Sequence, residues 1–155
     1  MTRLKKIVFF TLLFSLVSLH AQSMFLLTKI PKVYLVVENY SEKIPMSLKE
    51  DIYEEMRIIS KDLQIDTSGY SFRTLGFMIN DTRIAGKDIL TVELILGEEV
   101  IRLDDKENVY ALTYQKLKYI DAQNKDDDEL ADALLENIDL LLSEFANQYK
   151  EDNEE

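Results

Sequence analysis

The sequence predicts an α+β fold: a two-layer sandwich in which two amphipathic helices pack on one face of an antiparallel sheet of four to five strands. Three observations predict it. Apolar residues recur at helical steps in two segments, 48–63 and 130–149. Other runs are rich in β-branched and aromatic residues and alternate in polarity, as half-buried strands do. The runs between 70 and 121 are separated by stretches too short for a crossover, which makes neighbouring strands antiparallel.

Residues 22–31 read as a lead-in ending at Pro31, and KVYLVV (32–37) as a strand with Val33, Leu35 and Val37 on one face. In the first helix Leu48, Ile52, Met56, Ile59 and Leu63 form one stripe. Ser47 and Glu50 have the spacing of a capping box, in which hydroxyl and carboxylate each take an orphan amide. DTSGY (66–70) ends the helical pattern. YSFRTLGFMI (70–79) is a strand or strand pair, NDTRIAGKD a loop, and ILTVELIL (89–96) a strand with Leu90, Val92, Leu94 and Leu96 together. GEE is expected to connect to a short strand VIRL (100–103), DDKEN to turn, and VYALTYQKLKYI (109–120) to form the last strand. The final helix is expected over 127–149, with Leu130, Leu134, Ile138, Leu141, Leu142, Phe145 and Tyr149 inward. Asp126, Asp127, Asp128 and Glu129 cluster at its start, where the positive end of the helix dipole favours anions. The order is β-α-β-β-β-(β)-α, and it leaves the other face of the sheet uncovered.

The N-terminus has the parts of a secretory leader. Arg3, Lys5 and Lys6 precede an apolar run from Ile7 to Leu19, and Ala21 is a small residue placed to precede a cut. A spanning helix wants about 18 or more apolar residues in a row, and His20 and Gln22 interrupt this run. The expected domains are a signal peptide over 1–21, one α+β domain over 22–150 and a disordered acidic tail over 151–155. The expected location is the bacterial periplasm. The alternatives are an uncleaved N-terminus anchored in the inner membrane and a buried cytosolic helix. After cleavage no stable membrane insertion is expected.

The leader holds three bases and no acids, so the remaining chain has 15 bases against 29 acids, a net charge of −14. Such a charge repels phosphate backbones and anionic lipid, so nucleic acid is not an expected partner. There is no cysteine, and the single histidine, His20, belongs to the leader. Residues 22–155 therefore offer no Ser-His-Asp or Cys-His catalysis, no thiol redox chemistry and no imidazole or thiolate metal site. No catalytic residue, metal or cofactor is expected.

Other candidate sites fare no better. The acidic run at 126–129 fails the register of a calcium loop, because Lys125 and Asp126 fall where a ligand and the glycine belong. Among 29 acids no pair stands out as the two carboxylates of a glycosidase. The four glycines are scattered: Gly69 and Gly97 read as turn residues, Gly86 as a loop residue, and Gly76 as a bulge or close approach within a strand. The informative surplus is tyrosine, eight in all. Strict alternation puts Tyr110, Leu112 and Tyr114 on one face of the last strand. An outer face holding Tyr34 and Ile95, with Tyr110 and Tyr114, would be an aromatic and aliphatic patch suited to binding a partner. The competing reading is half-buried packing under the N-terminal segment.

The segment VYALTYQKLKYIDAQNKDDDELADALLENIDLLLSEF (109–145), a long strand, an acidic turn and an amphipathic helix, completes an order of strand, helix, meander, helix. That order resembles the N-terminal domain of TolB and is similar to related envelope accessory domains, such as penicillin-binding-protein activators and the lipopolysaccharide-assembly lipoprotein partner. The likeness covers most of the chain after residue 21 and carries no sharp motif. Many of those proteins are lipoproteins, whereas this chain has no cysteine to carry a lipid. The resemblance implies partner binding in envelope assembly and transfers no functional residue. The expected function is accordingly a non-enzymatic interaction domain that binds an envelope protein or itself. The alternatives are a carrier of an apolar or cationic small ligand and, more remotely, a carboxylate-only glycan hydrolase.

Overall fold

Alternate residues of four strands project to one side and are buried there: Leu35 and Val37, then Leu75, Phe77 and Ile79, then Leu90, Val92, Leu94 and Leu96, then Tyr114 and Ile120. The computed structural model describes residues 26–154. The expected leader, with His20, lies outside the described residues. The elements are β1 (Tyr34–Asn39), α1 (Leu48–Asp62), β2 (Arg73–Ile84), β3 (Lys87–Ile101), β4 (Asn108–Asp121) and α2 (Asp127–Asn153). Both helices lie on the buried side, with Ile52 and Met56 of α1 and Leu130, Leu134, Ile138 and Phe145 of α2 meeting the sheet residues. The α+β class and the one-sided helical layer follow the sequence pattern.

The sheet runs in sequence order, and its pairing is mixed rather than wholly antiparallel. β2–β3 and β3–β4 are antiparallel, but β1 lies parallel to β2, with Tyr34 opposite Thr74 and Glu38 opposite Met78. The reason is α1: a helix between two neighbouring strands carries the chain back to the end where it began, so the second strand runs in the same direction. The short-turn argument holds only from β2 onward.

Two of the expected connections are not turns. β2 and β3 pair out to Ile84 and Lys87, closed by two residues, Ala85 and Gly86, both at positive φ. That is the backbone a tight hairpin with the strands' own twist requires, and Gly adopts it without steric cost. GEE (97–99) is no connection either: β3 continues through it to Ile101, and the fifth strand is absent among the described residues. Gly97 is a strand residue, not a turn residue. Gly76 marks no bulge; the register shift lies between Leu96 and Gly97, where β4 places both Thr113 and its neighbour against a single step of β3.

This β-bulge corrects the alternation read across β4. Gly97 pairs with Leu112 and Leu96 with Tyr114, leaving Thr113 as the extra residue. Tyr110 and Leu112 therefore face outward, while Tyr114 turns inward and is fully buried. Deleting Thr113 should be tolerated, because Leu112 and Tyr114 would then occupy opposite faces of a plain strand. The expected cost is about 1 kcal/mol in denaturant unfolding. An unfolded deletion variant would show that no bulge separates them.

Caps differ from the expected ones as well. Ser47 has helical φ and ψ and makes no capping bond, because Pro45 and Met46 carbonyls already accept from Leu48 and Lys49. The capping box belongs to α2: the Asp126 carboxylate accepts from the Glu129 amide at 2.9 Å, and Glu129 accepts from the Asp126 amide at 3.2 Å. α2 also runs past 149 to Asn153. Asp152 and Asn153, expected in the disordered tail, hold the lead-in instead. The Asp152 carboxylate accepts from the Leu27 amide at 2.7 Å, and the Asn153 side chain donates to the Leu27 carbonyl at 2.9 Å.

The entry to β1 is tied to the exit of α1 at Asp66. Its backbone amide donates to Pro31 and its carbonyl accepts from Val33. The Ser68 hydroxyl and amide donate to its carboxylate at 2.6 and 2.8 Å, and Lys32 pairs with it at 3.2 Å. These partners, Ser68 first, pull the Asp66 carboxyl down to about 2. A depressed carboxyl stabilises the fold above its unfolded pKa of about 4, and that stabilisation disappears as pH falls through the folded value. Asp66→Asn should melt below wild type at neutral pH, with the gap closing between about pH 4 and pH 2. A gap constant across that window would contradict the assignment.

Candidate functional site: the open face of the sheet

The outward positions of the four strands form rows across the sheet. Tyr34, Thr74, Gly97 and Leu112 make one row, and Val36, Gly76, Ile95 and Gln115 the next; Glu38, Met78, Glu93 and Leu117 make a third. Gly76 and Gly97 leave the centre without side chains, so the first two rows form a trough between taller walls. Tyr110 leans over this trough: a methyl group on Gly97 would meet its ring at 2.6 Å. An aromatic ring laid across a strand glycine restores cover that the missing side chain cannot give.

No element among the described residues packs on this side. Tyr34 is 45% exposed and Tyr110 59%, and Leu112, Leu117 and Tyr119 are also exposed; Ile95 is half-buried between its neighbours. Tyr34, Ile95 and Tyr110 thus stand where the candidate patch was expected. Tyr114 does not. It sits in the opposite layer with its ring edge-on to Phe145, centroids 5.4 Å apart. Burial there, with Glu144 second, pushes its phenol well above the usual range, so the hydroxyl stays protonated.

Two residues of the patch were not singled out in the sequence. Tyr70 (72% exposed) and Phe72 (66% exposed) precede β2 and extend the face beyond its edge. Tyr70 packs against Tyr34 at 6.3 Å and edge-on to Phe72 at 5.4 Å. The signal was present: Tyr70 and Phe72 lie at steps of two from Thr74, the outward residue paired with Tyr34. Between these rings and Tyr110 runs a groove of about 350 Å³, lined also by Ser71, Thr74, Glu99, Asn108 and Val109.

The charges on this face are few and mostly engaged. Gln115 donates to Glu93, and Lys87 at the hairpin tip lies 3.9 Å from Asp121. Among the described residues no three acidic, His or Cys side chains gather as a metal would require. Nor, among them, is any helix long and apolar enough to cross a membrane.

No protein-family model and no curated protein matches the chain. A solved structure of a minor lipoprotein from Acinetobacter baumannii is similar to it, with 10% identity and a TM-score of 0.38 over 77% of this chain and 90% of that one. A likeness of that size assigns neither family nor function, and the TolB-like resemblance remains one of element order.

Proposed function

We propose that the chain is a non-enzymatic accessory domain of the bacterial envelope, exported by its N-terminal leader, that binds another protein through the open face of its sheet. The observation that carries this reading is the set of exposed aromatic and aliphatic side chains on one face: the contacting rings of Phe72, Tyr70 and Tyr34 on one side of the groove, Tyr110 and Leu112 on the other. Monomeric proteins seldom leave large aromatic surface uncovered unless something docks there, and tyrosine suits docking because its ring buries area while its hydroxyl stays wet. Between sheet and helices Phe77, Leu94, Tyr114 and Phe145 are fully buried against one another's layers, whereas the exposed rings lie on the opposite face, which favours docking over the carrier reading.

A photo-crosslinking residue introduced in the living cell tests the proposal. Placed at Tyr34 or Ile95, it should yield one or a few discrete adducts. Placed at Leu140, exposed on α2, it should not. Equal smears from all three positions would overturn the reading.

A further inference from the structure

The groove between Tyr70, Phe72 and Tyr110 has a composition that selects its occupant. Three aromatic rings line it, a single ionisable side chain of fixed charge faces it, and that is Glu99. No Lys or Arg lines it. Two other acids of β3 are engaged elsewhere: Glu98, whose side chain faces the other side of the sheet, holds Arg73 at 2.7 Å, and Glu93, six residues along the strand, accepts from Gln115. The Glu99 side chain makes no hydrogen bond or ion pair among the described residues. It is paired across the ladder with Tyr110, so its carboxylate and that ring rise side by side from the outer face.

Aromatic faces carry partial negative charge at their centres and attract cations, Trp and Tyr most strongly. A carboxylate beside them adds charge of the same sense. An anion would meet repulsion from both, and from the acidic excess of the whole chain. A purely apolar occupant would cover Glu99 and leave its charge unpaired, which is costly. A volume of about 350 Å³ is at the small end for a ligand site and suits one long side chain with its flanking backbone.

We infer that this groove receives a lysine or arginine side chain of the partner protein, with Glu99 as counter-ion and Tyr70, Phe72 and Tyr110 around the cation and its alkyl stem. The inference rests on the docking role proposed for this face. It adds the chemistry that the partner must offer there.

The test is an NMR titration of the isotope-labelled protein, expressed with its own N-terminus and taken as the cell processes it. The probes are the blocked pentapeptides Ser-Val-Arg-Val-Ser and Ser-Val-Gln-Val-Ser. The arginine peptide should shift the amides of Thr74, Glu99, Val109 and Tyr110, and bind about threefold to tenfold tighter than the glutamine peptide. Glu99→Gln should remove most of that difference, as should high salt, leaving only the part the rings contribute. Phe72→Leu, which keeps apolar bulk and removes the ring, should narrow it. Both variants lie on exposed positions and leave the core untouched. Equal binding of the two peptides in this groove would overturn the cation inference while leaving a docking face in place. Shifts confined to another surface, or none at millimolar peptide, would also overturn it. Loss of position-specific crosslinks at Tyr34 and Ile95 would instead remove the docking role on which it depends.

Discussion

Phe145→Ala should cost about 3–5 kcal/mol, a large share of the roughly 5–15 kcal/mol that holds a domain folded. The side chain is fully buried on α2, edge-on to Tyr114 and stacked with Tyr149 at 6.3 Å. Truncation removes its transfer energy and leaves a cavity that a sheet on one side and a helix on the other cannot collapse to fill. The ring pair with Tyr114 adds a further contribution beyond area, about 0.5–1.5 kcal/mol. Denaturant unfolding measures it: the midpoint should fall sharply with little change in slope. The Tyr114 phenol, no longer shielded, should also titrate closer to its ordinary value in absorbance. A cost near that of a surface substitution would mean that Tyr114 and Phe145 do not meet, and that β4 lies in the other register.

Ending the chain at Lys150 should be nearly as damaging, about 3 kcal/mol. The segment 151–155 has the composition of a solvated tail, four of its five residues being acidic. Yet Asp152 and Asn153 hold the backbone of Leu27, whose side chain is fully buried in the core. A hydrogen bond to a charged group contributes about 1.5–3 kcal/mol, and leucine burial about 1.5–3 kcal/mol if the lead-in detaches. Hydrogen exchange separates the two effects. The Leu27 amide should be protected in the full chain and exchange freely in the truncated one, with the melting temperature lower by several degrees. Unchanged protection at Leu27 would show that the clamp does not hold the lead-in.

Much of the fold was legible because periodicity reports burial directly. The stripes Leu48–Ile52–Met56 and Leu130–Leu134–Ile138 needed one face only, and the helices follow them. What periodicity could not report was local backbone geometry. A bulge at Thr113 changes no composition, yet it sends Tyr114 to the core while Tyr110 stays outside. Ser47 has the residue type of a cap but not its conformation, since the turn at Pro45 supplies the bonds first. Tyr70 and Phe72 looked like strand residues, and only the parallel pairing of β1 with β2 brings Tyr34 beside them. The parallel pairing itself followed from the helix between the two strands, a connection long enough to permit it. The candidate site was thus half visible: Tyr34, Ile95 and Tyr110 from alternation, Tyr70 and Phe72 from a period of two that gains its meaning with the parallel pairing of β1, and Glu99 only from the assembled sheet.

The proposed docking role requires the sheet's outer face to be open in the isolated protein and covered by a partner in the cell. Hydroxyl-radical footprinting of the tyrosines, in purified protein and in intact cells, tests it most directly. Purified protein should be modified at Tyr34, Tyr70, Tyr110 and Tyr119 and spared at Tyr114. In cells the first four should become protected while Tyr40, exposed in the loop after β1, stays reactive. Equal modification of Tyr34 and Tyr110 in both settings would rule out a partner on this face, and their protection in dilute purified protein would mean that the face is not open.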